Sequence, residues 1–222
     1  MIDAVVVGAG IGKRVGGKYK QFFMVEGKPV IYYPVKQFFD YGVRKIILVV
    51  PEEKIQYSKE ITSDFEGIVT IVQGGKHRQD SVLNGLEECR SDIILIHDGV
   101  RPFIKKELID EVVKGVREFG ICAPGIPITE TVKLFSKDKI LWTINRKNLL
   151  QVQTPQGFRM EILKRIMRLL SEVPVTDELS IAESLNYEVH WVQGDPLNIK
   201  ITYPCDLDLA RIIAKDFWFV EG

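Results

Sequence analysis

Cysteine is scarce in this 222-residue chain: Cys89, Cys122 and Cys205 stand apart, with neither C-x-x-C spacing nor an even count. That argues against a disulfide framework and fits a reducing, cytoplasmic setting. Net charge is lacking as well. Thirty basic residues balance thirty acidic ones, whereas a protein that coats nucleic acid is skewed basic, so any anion site must be local. No apolar stretch approaches the roughly 20 residues that span a bilayer. The chain also begins on a strand pattern, without the basic n-region of a secretory signal. Neither a Ser-His-Asp set nor a catalytic cysteine is discernible. The expectation is a cytoplasmic protein with no membrane or nucleic-acid partner, folded as one large domain over residues 1–222.

What is present is an alternation of two patterns. Short β-branched runs at Ala4–Val7, Lys45–Val50, Ile68–Val72, Ile93–Ile96, Cys122–Pro124 and Glu188–Val192 read as strands. Between them, amphipathic stretches at Val30–Phe39, Glu52–Ser63, Asp80–Cys89 and Lys105–Phe119 read as helices. "KIILVV" and "DIILI" are apolar nearly throughout, as strands buried on both faces are. The alternation predicts an α/β fold with a mostly parallel sheet and right-handed crossovers. Further helices are expected at Arg159–Leu170, around Asp177–Leu185 and at Leu207–Trp218. The tryptophans Trp142, Trp191 and Trp218 read as arm-interface and core anchors, the cysteines as small buried fillers, and "KKELIDEVVK" as a solvated helix face.

One segment departs from the rhythm. "ETVKLFSKDKILWTINR" (Glu130–Arg146) alternates apolar and polar residues around a polar "SKDK" turn, which predicts a β-hairpin projecting as an arm over residues 130–148. Leu134, Phe135, Leu141 and Trp142 are costly to leave in water, so the arm is expected to pack on a second copy of the chain.

The glycine-rich start, "VVVGAGIGKRVGGKYKQF" (Val5–Phe22), fits neither familiar phosphate loop. The dinucleotide fingerprint needs glycine where Lys13 stands, and the acidic residue that should close the next strand is replaced by "LVVPEE". The nucleotide-hydrolase loop needs glycine at Val7 and Ser or Thr at Arg14. The composition still has a logic. Glycines let the backbone bring amide N–H groups against an anion. Lys13, Arg14, Lys18 and Lys20 suit a site where charge on phosphate oxygens grows during reaction.

From Gly8 to Ile31 the pattern "GAGIGKR…KQF…GKPVI" resembles the signature of sugar-phosphate nucleotidyltransferases. "GGKHRQDSV" (Gly74–Val82), "IHDGVRPF" (Ile96–Phe103), "TPQGF" (Thr154–Phe158), "TDE" (Thr176–Glu178) and "NIKIT" (Asn198–Thr202) follow. That is the order found in 2-C-methyl-D-erythritol 4-phosphate cytidylyltransferases. The resemblance covers essentially the whole chain. It implies a Rossmann-like core of the nucleotide-diphospho-sugar transferase type, an arm that dimerises the enzyme, and Mg2+-dependent joining of CTP to the polyol phosphate with release of pyrophosphate. Arg14 and Lys20 match the cations that stabilise the transition state. Lys200 matches the lysine that contacts the phosphates and helps place the nucleophile, and Arg146 the arginine that orients the polyol phosphate.

The same resemblance lays Gly8, Ala9 and Gly10 along the triphosphate and makes Gly74, Gly75 and Ser81 a base pocket. Asp98 ends the strand "IILIH", at the carboxyl end where open α/β sheets bind ligands, and a hard oxygen there suits Mg2+ beside the nucleotide. Thr131, Thr154 and Thr176 fall on substrate-binding positions. Arg101 either contacts substrate or braces the loop through Asp98, and His97 reads as structural. Because the arm would cross to a neighbour, Thr131 and Arg146 are expected to serve the other subunit's site. "HDGVRP" departs from the commoner "HDAARP" toward ribitol-5-phosphate cytidylyltransferases. The alternatives are thus the same nucleotide with another polyol phosphate, or a nucleotide-binding regulator without chemistry.

Overall fold

In the computed structural model, which describes residues 1–10, 19–170 and 177–217, the strands in chain order are β1 (Ile2–Val7), the small pair β2 (Met24–Val25) and β3 (Lys28–Pro29), β4 (Lys45–Val50), β5 (Val69–Gln73) and β6 (Ile93–Asp98). Then come β7 (Ile121–Pro127), β8 (Val132–Ser136), β9 (Lys139–Ile144), β10 (Leu150–Val152), β11 (Gln156–Arg159) and β12 (His190–Gln193). Helices α1 (Tyr32–Tyr41), α2 (Ile55–Ile61), α3 (Arg78–Leu86), α4 (Lys106–Phe119), α5 (Met160–Leu170), α6 (Glu178–Ser184) and α7 (Pro204–Phe217) intervene.

β1 lies between β4 and β6 and runs parallel to both, and β5 continues the parallel set beyond β4. The full order is β10–β7–β11–β6–β1–β4–β5, with β12 also paired to β7. Cys122 of β7 faces Gly157 on one side and His190 on the other, so β12 forms the outer edge.

Side chains alternate across a strand, and here both faces are covered. Ala4, Val6, Ile46, Leu48, Val50 and Leu95 pack in one core with residues of α1, α4 and α7. Val5, Ile47, Val49, Ile94 and Ile96 pack in a second core with residues of α3, α5 and α6. This is the physical reason that the central runs are apolar at every position. "KKELIDEVVK" is solvated only in its charged half, because Leu108, Ile109, Val112 and Val113 of α4 are buried.

Three departures from the sequence reading have local causes. β10 and β11, both antiparallel to β7, were not foreseen. They are three and four residues long and flank a cis Thr154–Pro155 bond, too short for any periodicity to register. Trp191 is not a core anchor; it points outward from the edge strand β12 and is exposed. Cys89 and Cys122 are buried fillers, whereas Cys205 is exposed.

The hairpin forms as its alternation predicts. β8 pairs antiparallel with β9, from Val132 opposite Ile144 to Ser136 opposite Lys139, as a two-stranded sheet separate from the main one. Phe135, Ile140 and Trp142 are 69%, 68% and 57% exposed.

Candidate active site

The carboxyl ends of the parallel strands gather loops that the sequence keeps far apart. Gly8 N–H donates to the Val49 carbonyl (2.7 Å), Gly74 N–H to that of Val50 (2.8 Å) and Gly99 N–H to that of Val7 (2.9 Å). The segments after β1, β5 and β6 therefore leave the sheet side by side, where ligands of open α/β sheets bind. The approach is close. A Cβ placed on Gly74 would lie 2.2 Å from Cβ of Ala9, so only glycine fits there. Gln21 Nε2 donates to the carbonyls of Gly8 and Gly10. That bond draws Lys20, first residue of the 3-10 turn Lys20–Phe22, beside the glycine loop. Arg14 and Thr176 lie outside the described residues, as do Lys13, Lys18 and Trp218.

Asp98 closes β6 and is nearly buried. Its Oδ2 is 2.8 Å from Lys200 Nζ and 3.5 Å from Arg101 Nε, and its Oδ1 is 3.7 Å from an Arg78 guanidinium nitrogen. Burial alone would raise the Asp98 pKa; Lys200, Arg78 and Arg101 outweigh it and hold the carboxyl well below the usual range. Lys200 reaches this place because "NIKIT" is stitched to two other loops. Asn198 Nδ2 donates to the Thr154 carbonyl (2.9 Å), and the Asn198 carbonyl accepts from Arg101 (2.7 Å). Ile201 N–H donates to the Val100 carbonyl (3.0 Å).

Other expected residues take different positions. Thr154 was expected to bind substrate, but it is buried and its hydroxyl oxygen accepts from Asp98 N–H (3.1 Å). The His97 ring settles where the hydroxyl proton goes. Its Nε2 lies 3.0 Å from the Arg101 carbonyl, which only accepts, so Nε2 carries the hydrogen and Nδ1 accepts from Thr154 (3.0 Å). Burial lowers the His97 pKa to about 4, which keeps the ring neutral. Thr154 and His97 therefore brace the backbone that carries Asp98. Arg101, expected either to contact substrate or to brace the loop, is buried between Asp98 and the Asn198 carbonyl. Ser81, expected at the base, is buried too: it accepts from Gly75 N–H (3.1 Å) and donates to the His77 carbonyl (3.1 Å). It shapes the Gly75 turn. Thr131 and Arg146 are exposed at the base of the arm, and Arg146 donates to the Thr129 carbonyl.

Two members of the cluster escaped the sequence reading. Arg78 bridges Asp98 and Glu178, and Glu178 is wholly buried. A signal existed, for Arg78 sits in the first turn of α3, where the helix dipole disfavours a cation. Among the described residues no three His, Cys, Asp or Glu side chains gather into a metal cage. One strongly acidic carboxylate beside the glycine loop nevertheless fits Mg2+, which commonly takes one or two carboxylates and completes its shell with phosphate oxygens and water.

The arrangement agrees with proteins of known name. The sequence model of the family described as IspD, 2-C-methyl-D-erythritol 4-phosphate cytidylyltransferase, matches residues 2–216. The enzyme of that name from Clostridium botulinum (strain Eklund 17B / Type B) is 43% identical over 225 residues, covering 97% of this chain and 100% of that protein. Its counterpart from Clostridium perfringens (strain ATCC 13124) is 42% identical over 228 residues, covering 96% and 99%. The crystal structure of 4-diphosphocytidyl-2C-methyl-D-erythritol synthase from Anaerococcus prevotii superposes with a TM-score of 0.86 at 28% identity, over 96% of each chain. With sequence, topology and the gathering of the family's motifs at one end of the sheet in agreement, the chain belongs to the 2-C-methyl-D-erythritol 4-phosphate cytidylyltransferase family.

Proposed function

We propose that this chain joins CTP to 2-C-methyl-D-erythritol 4-phosphate, giving 4-diphosphocytidyl-2-C-methyl-D-erythritol and pyrophosphate, a step of non-mevalonate isoprenoid synthesis. The observation that carries the reading is the 2.8 Å pair of Asp98 and Lys200 beside the glycine loop of β1. A phosphate oxygen of the polyol attacks the α-phosphorus of CTP, and the bond to the β-phosphate breaks as pyrophosphate leaves. The attacking phosphate has a second pKa near ~6, so it is already mostly a dianion at neutral pH. No general base is required. The obstacle is the mutual repulsion of two polyanions, which calls for fixed cations and exact placing.

The residues divide that work. Backbone N–H groups of Gly8, Ala9 and Gly10 line the triphosphate, and Gly74 and Gly75 admit the base. Arg14 and Lys20 stabilise the charge that develops at the α-phosphate. Lys200 meets the phosphates and helps place the nucleophile, while Arg146, with its planar fork, orients the polyol phosphate together with Thr131 and Thr176. Asp98 holds Mg2+, which when bound neutralises phosphate charge and orients the leaving group. Two copies associate through the arm at residues 130–148, whose apolar side chains are exposed, so that Thr131 and Arg146 complete the neighbour's site. The three unpaired cysteines favour work in the cytoplasm. No helix among the described residues is long and apolar enough to cross a membrane.

The test is pyrophosphate release from CTP and Mg2+, run in parallel with methylerythritol phosphate and ribitol phosphate. Turnover with the first is expected. Turnover with ribitol phosphate alone replaces the substrate, and silence with both rejects the reading.

A further inference from the structure

Glu178 has no part in the chemistry described above, yet its side chain is fully buried, an environment that an unpaired carboxylate avoids. Its Oε1 lies 2.5 Å from Arg78 Nη1, a short charge-assisted bond. Its Oε2 has no hydrogen-bond partner among the described residues, so the contact is single-pronged. The other prong of the same guanidinium, Nη2, faces Asp98 Oδ1 at 3.7 Å, beyond hydrogen-bond reach. Lys200 and Arg101 both approach the opposite oxygen, Oδ2. One oxygen of Asp98 is thus taken by cations, and the ion pair of the other that is seen among the described residues is with an arginine that stops short of it.

An arginine fork placed between two carboxylates closes on the one that competes better, and it prefers to close with both prongs. If Arg78 closed on Asp98, both oxygens of that carboxylate would be spent on protein cations. Glu178 holds the other prong of that guanidinium, and its helix is tied to the sheet at its start. α6 opens on Asp177, whose carboxylate accepts from Ser180 N–H (3.1 Å) and from Gln156 Nε2 of β11 (2.9 Å).

We propose that Glu178 is a positioning residue that holds Arg78 back from Asp98 and thereby keeps Oδ1 available to the divalent cation that accompanies the nucleotide. The inference rests on the cytidylyltransferase reading. It deepens that reading by giving the buried acid of "TDE" a task on the metal side of the site, through an arginine that α3 presents.

The experiment measures by calorimetry how much Mg2+ increases the affinity for CTP, against the same titration in EDTA, at a temperature where each protein is fully folded. Glu178→Gln, which keeps shape and loses charge, should lose about 10- to 100-fold of that increment, the range typical for partners that orient a metal ligand. Arg78→Gln added to Glu178→Gln should recover most of it, because the intruding fork is gone. A merely structural role for the pair would lower the melting temperature of Glu178→Gln and leave the increment of the folded protein at the wild-type value. That result, or a double variant no better than the single one, overturns the inference. Should Glu178→Gln not fold, Glu178→Asp carries the same comparison, because its shorter reach releases Arg78 while its charge remains. Wild-type turnover is measured alongside: turnover with a flat Glu178 result removes the inference alone, whereas no CTP turnover by wild type removes the reading and the inference together.

Discussion

Asp3 and Asp98 sit at opposite ends of neighbouring strands and show two uses of a buried carboxylate. Asp3 Oδ2 accepts from Arg44 (2.7 Å) and from the N–H groups of Arg90 (2.8 Å) and Ser91 (2.9 Å). Burial alone would raise its pKa, but these three donors outweigh it and hold the value below the ordinary 3.8. A depressed carboxylate stabilises the fold above its unfolded pKa, and the contribution disappears as pH falls through the folded value. Asp3→Ala strands three donors and should cost about 2–4 kcal/mol in urea unfolding at pH 7. The gap to wild type should narrow once the pH drops below 3.8. Asp98, by contrast, is surrounded by cations that substrate phosphates can also use. Lys20, beside the same loop, is proposed to act on charge that appears only in the transition state. Lys20→Ala should therefore lower kcat by about 100-fold or more while CTP affinity changes little. An equal loss of CTP binding in calorimetry would move Lys20 to ground-state binding. Sequence alone exposed Asp98 and Lys200 as members of motifs but not Arg78 and Glu178 as partners. The latter lie 100 positions apart, and no local pattern reports a contact at that separation.

Among the elements, strands buried on both faces were the most legible: Lys45–Val50 appears with the very bounds that its apolar run suggests. β10 and β11 were the least legible, because their pairing to β7 is imposed by neighbours rather than by their own short sequences. The arm stands between these cases. Its alternation dictates a hairpin, but with both faces open to solvent nothing in the single chain explains Phe135, Ile140 and Trp142 on its surface. On the proposed pairing of two copies through the arm, Trp142→Glu should shift sedimentation from dimer to monomer while circular dichroism stays unchanged, since the hairpin's backbone bonds are internal to β8 and β9. A variant that sediments as wild type does would remove this side chain from the interface.

For the whole molecule, the decisive question raised by the proposed function is whether Arg146 serves its own chain's site or that of a second copy. Arg146 lies at the base of the arm and donates to Thr129 rather than to the Asp98 cluster. Lys20→Ala and Arg146→Ala subunits, each nearly inactive alone, should regain activity when mixed under conditions of subunit exchange. Only a mixed dimer builds one site with both cations intact, so recovery should approach about one quarter of wild type at equal mixing. No recovery, with exchange confirmed by mass, would mean that each chain completes its own site.

The sequence by itself determined the alternation of strand and helix, the doubly covered sheet, the hairpin and the glycine loop, because each depends on neighbours a few positions away. It also supplied the motif order that the family comparison bears out. Only the tertiary structure decided that Thr154, Ser81 and Arg101 spend their polar groups on bracing loops, and that a buried glutamate shares its arginine with Asp98. Those assignments depend on which donors and acceptors meet across the carboxyl end of the sheet, and a hydrogen bond is specified by both partners at once.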